Sequence, residues 1–248
     1  MIDLSKKCQQ LRETVLEMCI RAGTGHLTSC LSCAEIMTSI YYTSMREGDH
    51  FILSKGHASP LLYAILSDKG YIAKEELDTF GLTGSRLGVH LNNEVEGIEA
   101  ISGSLGYGLG IAAGIAIAQS ETRVFVLMGD AECQEGSVWE SAMFVGRKRI
   151  DNIIAIIDCN GYGATLSNHP VTNWDWDDLG WFHEDVDGHD IEALSWLLKG
   201  RWSKPMLIRA HTVKGNGIPF LVDNPLWHGV APTKPEDVDR AREAICGT

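Results

Sequence analysis

The segment "RVFVLMGDAECQEGSVWESAMFVGRKRIDNIIAIIDCN", Arg123 to Asn160, reads as strand, helix, strand. "RVFVLMGD" and "NIIAIIDCN" are short apolar runs, and "EGSVWESAMFVGRKRI" between them has helical periodicity. Together they make one right-handed βαβ unit. Asp130 and Asn160 then fall side by side at the carboxyl ends of adjacent parallel strands, the edge where open α/β sheets bind ligands. The same turn carries Glu132 and Glu135. Carboxylates crowded this closely repel one another unless a cation or a shared proton compensates, so the segment is expected to hold a metal. A carboxylate, an amide oxygen and a nearby backbone carbonyl are hard ligands, and a site that leaves octahedral positions to phosphate oxygens and water suits Mg²⁺. The helix opening at Gly136 is expected to add its N-terminal dipole to the attraction for phosphate.

The same alternation extends along the chain. Helical periodicity at about 3–22, 32–46, 57–69, 106–119, 136–149, 190–199 and 235–246 alternates with apolar runs that include "FILS" and "PMLIRA". This is the pattern of an α/β fold, a parallel sheet with helices on both faces. Glycine with Asn or Asp gathers at about 81–110, 160–169 and 214–230, predicting three long loops of the kind that carry function. The 248 residues, 44% hydrophobic and 22% charged, suit a single domain spanning 1–248 with a sizeable core. A net charge of −12 argues against nucleic acid or an anionic membrane as the main partner, and no apolar run is long enough to span a bilayer. Seven scattered cysteines fit a reducing cytoplasm. The lone C-x-x-C of Cys30 and Cys33 lacks the second pair a structural zinc needs, and reads as two small residues on a helix face.

Gly108 to Ala113, "GLGIAA", matches a dinucleotide fingerprint with Asp130 about 20 residues past Gly110. That motif must follow a β-strand, and "EGIEAISGSLGY" lacks the β-branched run to form one. The fingerprint also leaves Glu135 and Asn160 without a purpose.

Four histidines stand in glycine-containing loops or at a strand end: His26 in "GTGHLTSCLS", His57 in "LSKGHASP", His90 in "RLGVHLNN" and His228 in "NPLWHGVAP". Histidine is the side chain best suited to proton transfer near neutral pH. With these segments in view, the chain resembles the amino-terminal, diphosphate-binding domain of transketolase, and in particular the shorter half of two-chain transketolases. The resemblance covers nearly all of the chain.

It implies thiamine diphosphate with Mg²⁺, and transfer of a two-carbon ketol unit from a ketose or ketose-phosphate donor to an acceptor. The thiazolium ring supplies the nucleophile and electron sink that such a cleavage needs. By the resemblance, Asp130 and Asn160 match side-chain metal ligands and Tyr162 a backbone-carbonyl ligand. His57 and His228 match contacts on the diphosphate and thiazolium side, with Gly129, Ala131 and Glu132 in the same turn. His26 and His90 match histidines facing substrate oxygens. Gly103, Ser104 and Leu105 match the loop that meets the aminopyrimidine. Glu135 matches the acid that pairs across the interface between chains with the activating glutamate, and "DGHD", Asp187 to Asp190, is a family-like string with a structural role.

Two departures stand out. Ala131 replaces the glycine of G-D-G, tolerable only at negative φ, and Ser104 stands where proline is common. A non-catalytic relative is the competing expectation, and retention of the metal-type residues and the histidines weighs against it. After "HGVAP" the chain supplies one more helix, so the pyrimidine-binding and C-terminal domains are expected on a partner subunit, with two copies of each chain.

Overall fold

The structure, a computed structural model, describes residues 2–164, 166, 167 and 176–246. Its helices are α1 (Leu4–Ala22), α2 (Leu27–Ser32), α3 (Ala34–Ser39), α4 (Ser59–Asp68), α5 (Gly108–Ala118), α6 (Gly136–Lys148), α7 (Ile191–Lys199) and α8 (Pro235–Cys246). The strands are β1 (His50–Leu53), β2 (Val124–Gly129), β3 (Ile153–Cys159), β4 (Tyr162–Gly163), β5 (Leu166–Ser167), β6 (Phe182–Asp187) and β7 (Met206–His211). Five of them form a sheet in the order β1-β2-β3-β7-β6, with every pair parallel. β4 and β5 make a separate antiparallel ribbon.

Strand alternation divides the core between the two faces of this sheet. Phe125 and Leu127 of β2, Ile154 and Ile156 of β3, and Met206 and Ile208 of β7 face a layer built from α1, α3, α4, α7 and α8. Val124, Val126 and Met128, with Ile153, Ala155 and Ile157, face α5 and α6. Both faces of the central strands are therefore buried, and their sequences are continuously apolar instead of alternating. The expected α/β architecture is the observed one.

The expected helix at 32–46 is instead α3 followed by a π-helical turn, Ile40–Ser44, and a separate helix, α2, precedes it. The long loop between α4 and α5 is broken by a 3-10 turn at Lys74–Thr79 and contains no strand among the described residues. The dinucleotide fingerprint at Gly108 thus lacks the strand that it requires. No apolar run announces β6: "FHEDVD" is polar because it lies at the sheet edge with Phe182, Glu184, Asp185 and Asp187 exposed. Cys30 and Cys33 are buried free thiols, with Cys33 Sγ donating to the Ser29 carbonyl at 3.2 Å, as expected for packing residues.

Candidate active-site cleft

β1, β2 and β3 run parallel, so their carboxyl ends meet at one edge, where His26, Lys55, His57, His90, Asp130 and Asn160 line a common cleft. Asp130 directly follows β2 and caps a 3-10 turn at Ala131–Gln134. It is 3% exposed. Its Oδ1 accepts from the Ala131 amide at 2.8 Å and its Oδ2 from the Gly161 amide at 2.6 Å. Burial, then the charge of Asp158, push its pKa up to about 6, against the pull of those two amides. A buried carboxylate disfavoured in this way is one that a cation would stabilise.

Asn160 donates from Nδ2 to Asp158 at 3.1 Å, and its Oδ1 accepts from the Tyr162 amide at 3.1 Å. Those bonds fix the side of the amide that carries the oxygen. Tyr162 opens β4 and lines the same cleft. Asp130 and Asn160 offer a carboxylate and an amide oxygen here, hard donors of the kind that fit Mg²⁺ completed by a main-chain carbonyl, phosphate and water. Among the described residues no group of three His, Cys, Asp or Glu forms a metal site, so a metal here would rest on this mixed set.

The expectation that three carboxylates converge is wrong. Glu132 is 1% exposed and turned inward, accepting from the Ser54 hydroxyl, the Gly106 amide at 2.8 Å and the Gly129 amide at 3.0 Å. It borders the cleft as a tie between the ends of β1 and β2 and the loop before α5. Glu135 stands at the N-cap position of α6 without a side-chain capping bond and is exposed to solvent. Gly136 is likewise exposed, and the residues from this turn that line the cleft are Gly129, Asp130, Ala131 and Glu132, ahead of α6. Ala131 sits in the 3-10 turn and is not among the positive-φ residues, so its methyl causes no backbone strain. Gly103 and Leu105 line the cleft, while Ser104 between them is exposed.

The histidines do come together. His26 immediately precedes α2, His57 lies in the 3-10 turn Gly56–Ala58, His90 comes from the long loop and His228 follows the turn Pro225–Trp227. The His26 ring centroid lies 5.0 Å from that of His228, 5.2 Å from His57 and 6.3 Å from His90. Burial, then the neighbouring His228 and His90, lower the His26 pKa to about 4. Burial also depresses His57 and His228, so all three are neutral imidazoles at pH 7. His26 Nδ1 is buried with no hydrogen-bond partner, an orphan that a ligand hydroxyl would satisfy.

Three charged groups near the cleft are not evident from motif or spacing. Lys55 and Asp158 form a fully buried ion pair beneath the cleft. Lys55 also donates to the Ser29 carbonyl at 3.2 Å, and Asp158 accepts from Ser32 at 2.6 Å and from Thr212. A signal for Asp158 is present, since a carboxylate in the apolar run "IIAIIDCN" must find a partner. The third is Lys214, 4% exposed, whose Nζ lies 3.0 Å from His228 Nδ1. Burial, then the charge of Lys55, lower its pKa to about 8, which leaves it cationic at neutral pH. With Lys55 neutralised by Asp158, Lys214 offers the cleft a positive charge for an anion.

Residues 5–247 match the family described as transketolase, thiamine diphosphate binding domain. The chain belongs to the transketolase family. It is 33% identical to one subunit of the apulose-4-phosphate transketolase of Phocaeicola vulgatus, over 97% of this chain and 93% of that protein. It is 36% identical to human transketolase, over 98% of this chain but 41% of that one. The solved transketolase of Campylobacter jejuni superposes with a TM-score of 0.90 at 27% identity, covering 99% of this chain and 43% of the other. The chain therefore spans about two-fifths of the single-chain transketolases and nearly all of the subunit-type relative. No helix among the described residues is long and apolar enough to cross a membrane.

Proposed function

We propose that residues 1–248 act as one diphosphate-binding domain and form one subunit of a thiamine diphosphate- and Mg²⁺-dependent transketolase. It would transfer a two-carbon ketol unit from a ketose or ketose-phosphate donor, with the active site completed by a partner subunit. The observation that carries this reading is a buried, cation-seeking Asp130 beside Asn160, in a cleft that also holds four histidines. The 93% coverage of a relative named as a subunit supports the two-chain organisation.

Asp130, Asn160 and the Tyr162 carbonyl would hold Mg²⁺ against the cofactor's diphosphate, which Lys214, His57 and His228 would also face. Bound cofactor supplies a thiazolium carbon that acts as nucleophile and electron sink. The protein's own part is to hold, desolvate and move protons. His26 and His90 would meet the sugar hydroxyls, and the neutral His26 imidazole can accept a proton from one of them. Closure of the cleft by the partner subunit would exclude water from the reacting carbon. Glu135, exposed at the start of α6, would meet the partner's activating carboxylate, where a shared proton relieves their repulsion. The assembly would contain two copies of each chain and work in the cytoplasm.

Calorimetry of thiamine diphosphate binding, with Mg²⁺ and with EDTA, tests the metal clamp. Binding should be lost in EDTA. Equal affinity in both conditions would contradict it.

A further inference from the structure

The string "DGHD" joins β6 to α7, outside the residues that line the cleft, yet each of its side chains has a definite task. Asp187 Oδ1 accepts from the His189 amide at 2.9 Å, and Asp190 caps α7 by accepting from Glu192 and Ala193. Gly188 is required by close approach: a Cβ there would lie 2.3 Å from the Thr212 methyl. His189 sits between a buried ion pair and the loop that carries Lys214. Its Nδ1 lies 3.0 Å from Glu35 Oε2, and the Asn216 side-chain amide approaches the same nitrogen at 3.0 Å. Its Nε2 accepts from the Val213 amide at 2.9 Å. With Nε2 as the acceptor, the neutral ring carries its proton on Nδ1 and donates it to Glu35, which requires the Asn216 amide to turn its oxygen toward that nitrogen.

Glu35 is in turn held by Arg12, whose Nη2 donates to both carboxylate oxygens at 2.6 and 2.8 Å. Burial works against the Glu35 carboxylate, but hydrogen bonds from His189 and Arg12 outweigh it and keep the group ionised. Arg12 Nη1 also donates to the Asn216 carbonyl at 2.7 Å. The loop between these anchors is tied to α2 by the Gly215 amide, which donates to the Thr28 carbonyl at 3.1 Å. Residues 213–216 are thus pinned from α1, α2 and the β6–α7 turn, on the two sides of Lys214.

We propose that Arg12, Glu35 and His189 are positioning residues, a buried relay that fixes the Val213–Asn216 backbone and so holds the Lys214 ammonium at the anion-binding end of the cleft. This deepens the diphosphate reading given above and rests on it. Lys214 has a long, flexible stem, and burying its charge is costly unless its backbone is fixed where an anion will meet it. The bond from Val213 to His189 fixes the residue immediately before it. A leucine at 189 would leave that amide donor unpaired, whereas glutamine can present an acceptor in nearly the same place.

A double-mutant cycle on the full chain tests the relay, with calorimetric titration of thiamine diphosphate in Mg²⁺ and thermal melts alongside. H189L should weaken binding about 10-fold, the loss expected when a hydrogen bond that orients a charged group is removed. H189Q should recover most of that affinity. In the K214A background H189L should change affinity less than about twofold, because the group it positions is gone. If H189L weakens binding equally in both backgrounds, or leaves native affinity unchanged, the relay is overturned while the diphosphate reading stands. If H189L unfolds the chain, E35Q in the native and K214A backgrounds supplies the same cycle, with the same outcomes deciding. Failure of the native chain to bind thiamine diphosphate at all would overturn the diphosphate reading and the relay with it.

Discussion

Asp130 combines a cost to the cofactor-free fold with its proposed use as a metal ligand. Its carboxylate is buried beside Asp158, and its pKa stands near 6 because ionisation there is unfavourable. Asp130→Asn removes that charge with little change of shape, so the cofactor-free variant should melt at or above the native temperature. The same variant should lose at least about 100-fold in Mg²⁺-dependent cofactor affinity, read by calorimetry, because a charged ligand is gone. A lower melting point with unchanged affinity would mean that Asp130 is structural. The histidines give a pH signature of the opposite sign. His26 is held neutral with a pKa of about 4, below the ordinary histidine value of 6.5. Between those values the unfolded chain binds a proton that the native chain refuses, so stability is full above pH 6.5 and falls as pH drops toward 4. His57 is depressed in the same direction. Melting temperature should therefore fall between about pH 7 and pH 5, and His26→Asn should shrink that fall. An identical pH profile for the variant would contradict the buried, neutral assignment.

The secondary-structure elements are joined at the cleft by polar ties as well as by packing. Lys55 follows β1, Asp158 lies in β3, and Ser29 and Ser32 of α2 complete their hydrogen bonds. Lys55→Met would leave Asp158 buried and unpaired, which should cost about 3–5 kcal/mol in a urea denaturation experiment. A loss below about 1 kcal/mol would show that the pair is dispensable. This tie also marks where the sequence is legible and where it is not. β2 and β3 are readable because strands buried on both faces are uniformly apolar, and Asp130 and Asn160 stand out as polar residues ending such runs. β6 is not readable, since an exposed edge strand carries no apolar run. Nor are the separate α2 and α3, because Leu27 to Ser32 are buried on all sides and show no periodic face. Lys214 opens the loop predicted at 214–230, but nothing there singles out the lysine, and only the folded chain brings it to His228. Glu132 misleads for a related reason: spacing puts it beside Asp130, but its orientation depends on Ser54 and Gly106, which are distant in sequence.

Over the whole molecule, an acidic protein of net charge −12 arranges local positive charge where an anion is to be held. The metal-type donors stand just beyond the carboxyl ends of β2 and β3 and in β4, whereas the groups proposed to face the partner are exposed. Glu135 is solvent-accessible, and Leu226 and Val230, on either side of His228, are 82% and 47% exposed. An exposed carboxylate and exposed apolar side chains next to the proposed diphosphate site suit a surface that a second chain would cover during catalysis. Turnover is the measurement that tests this most directly. The purified chain, given thiamine diphosphate, Mg²⁺ and ketose donors, is assayed alone and then with a chain carrying a pyrimidine-binding domain. The account predicts no sustained donor cleavage by the chain alone and ketol transfer once the partner is added. Sustained turnover by the chain alone would contradict it.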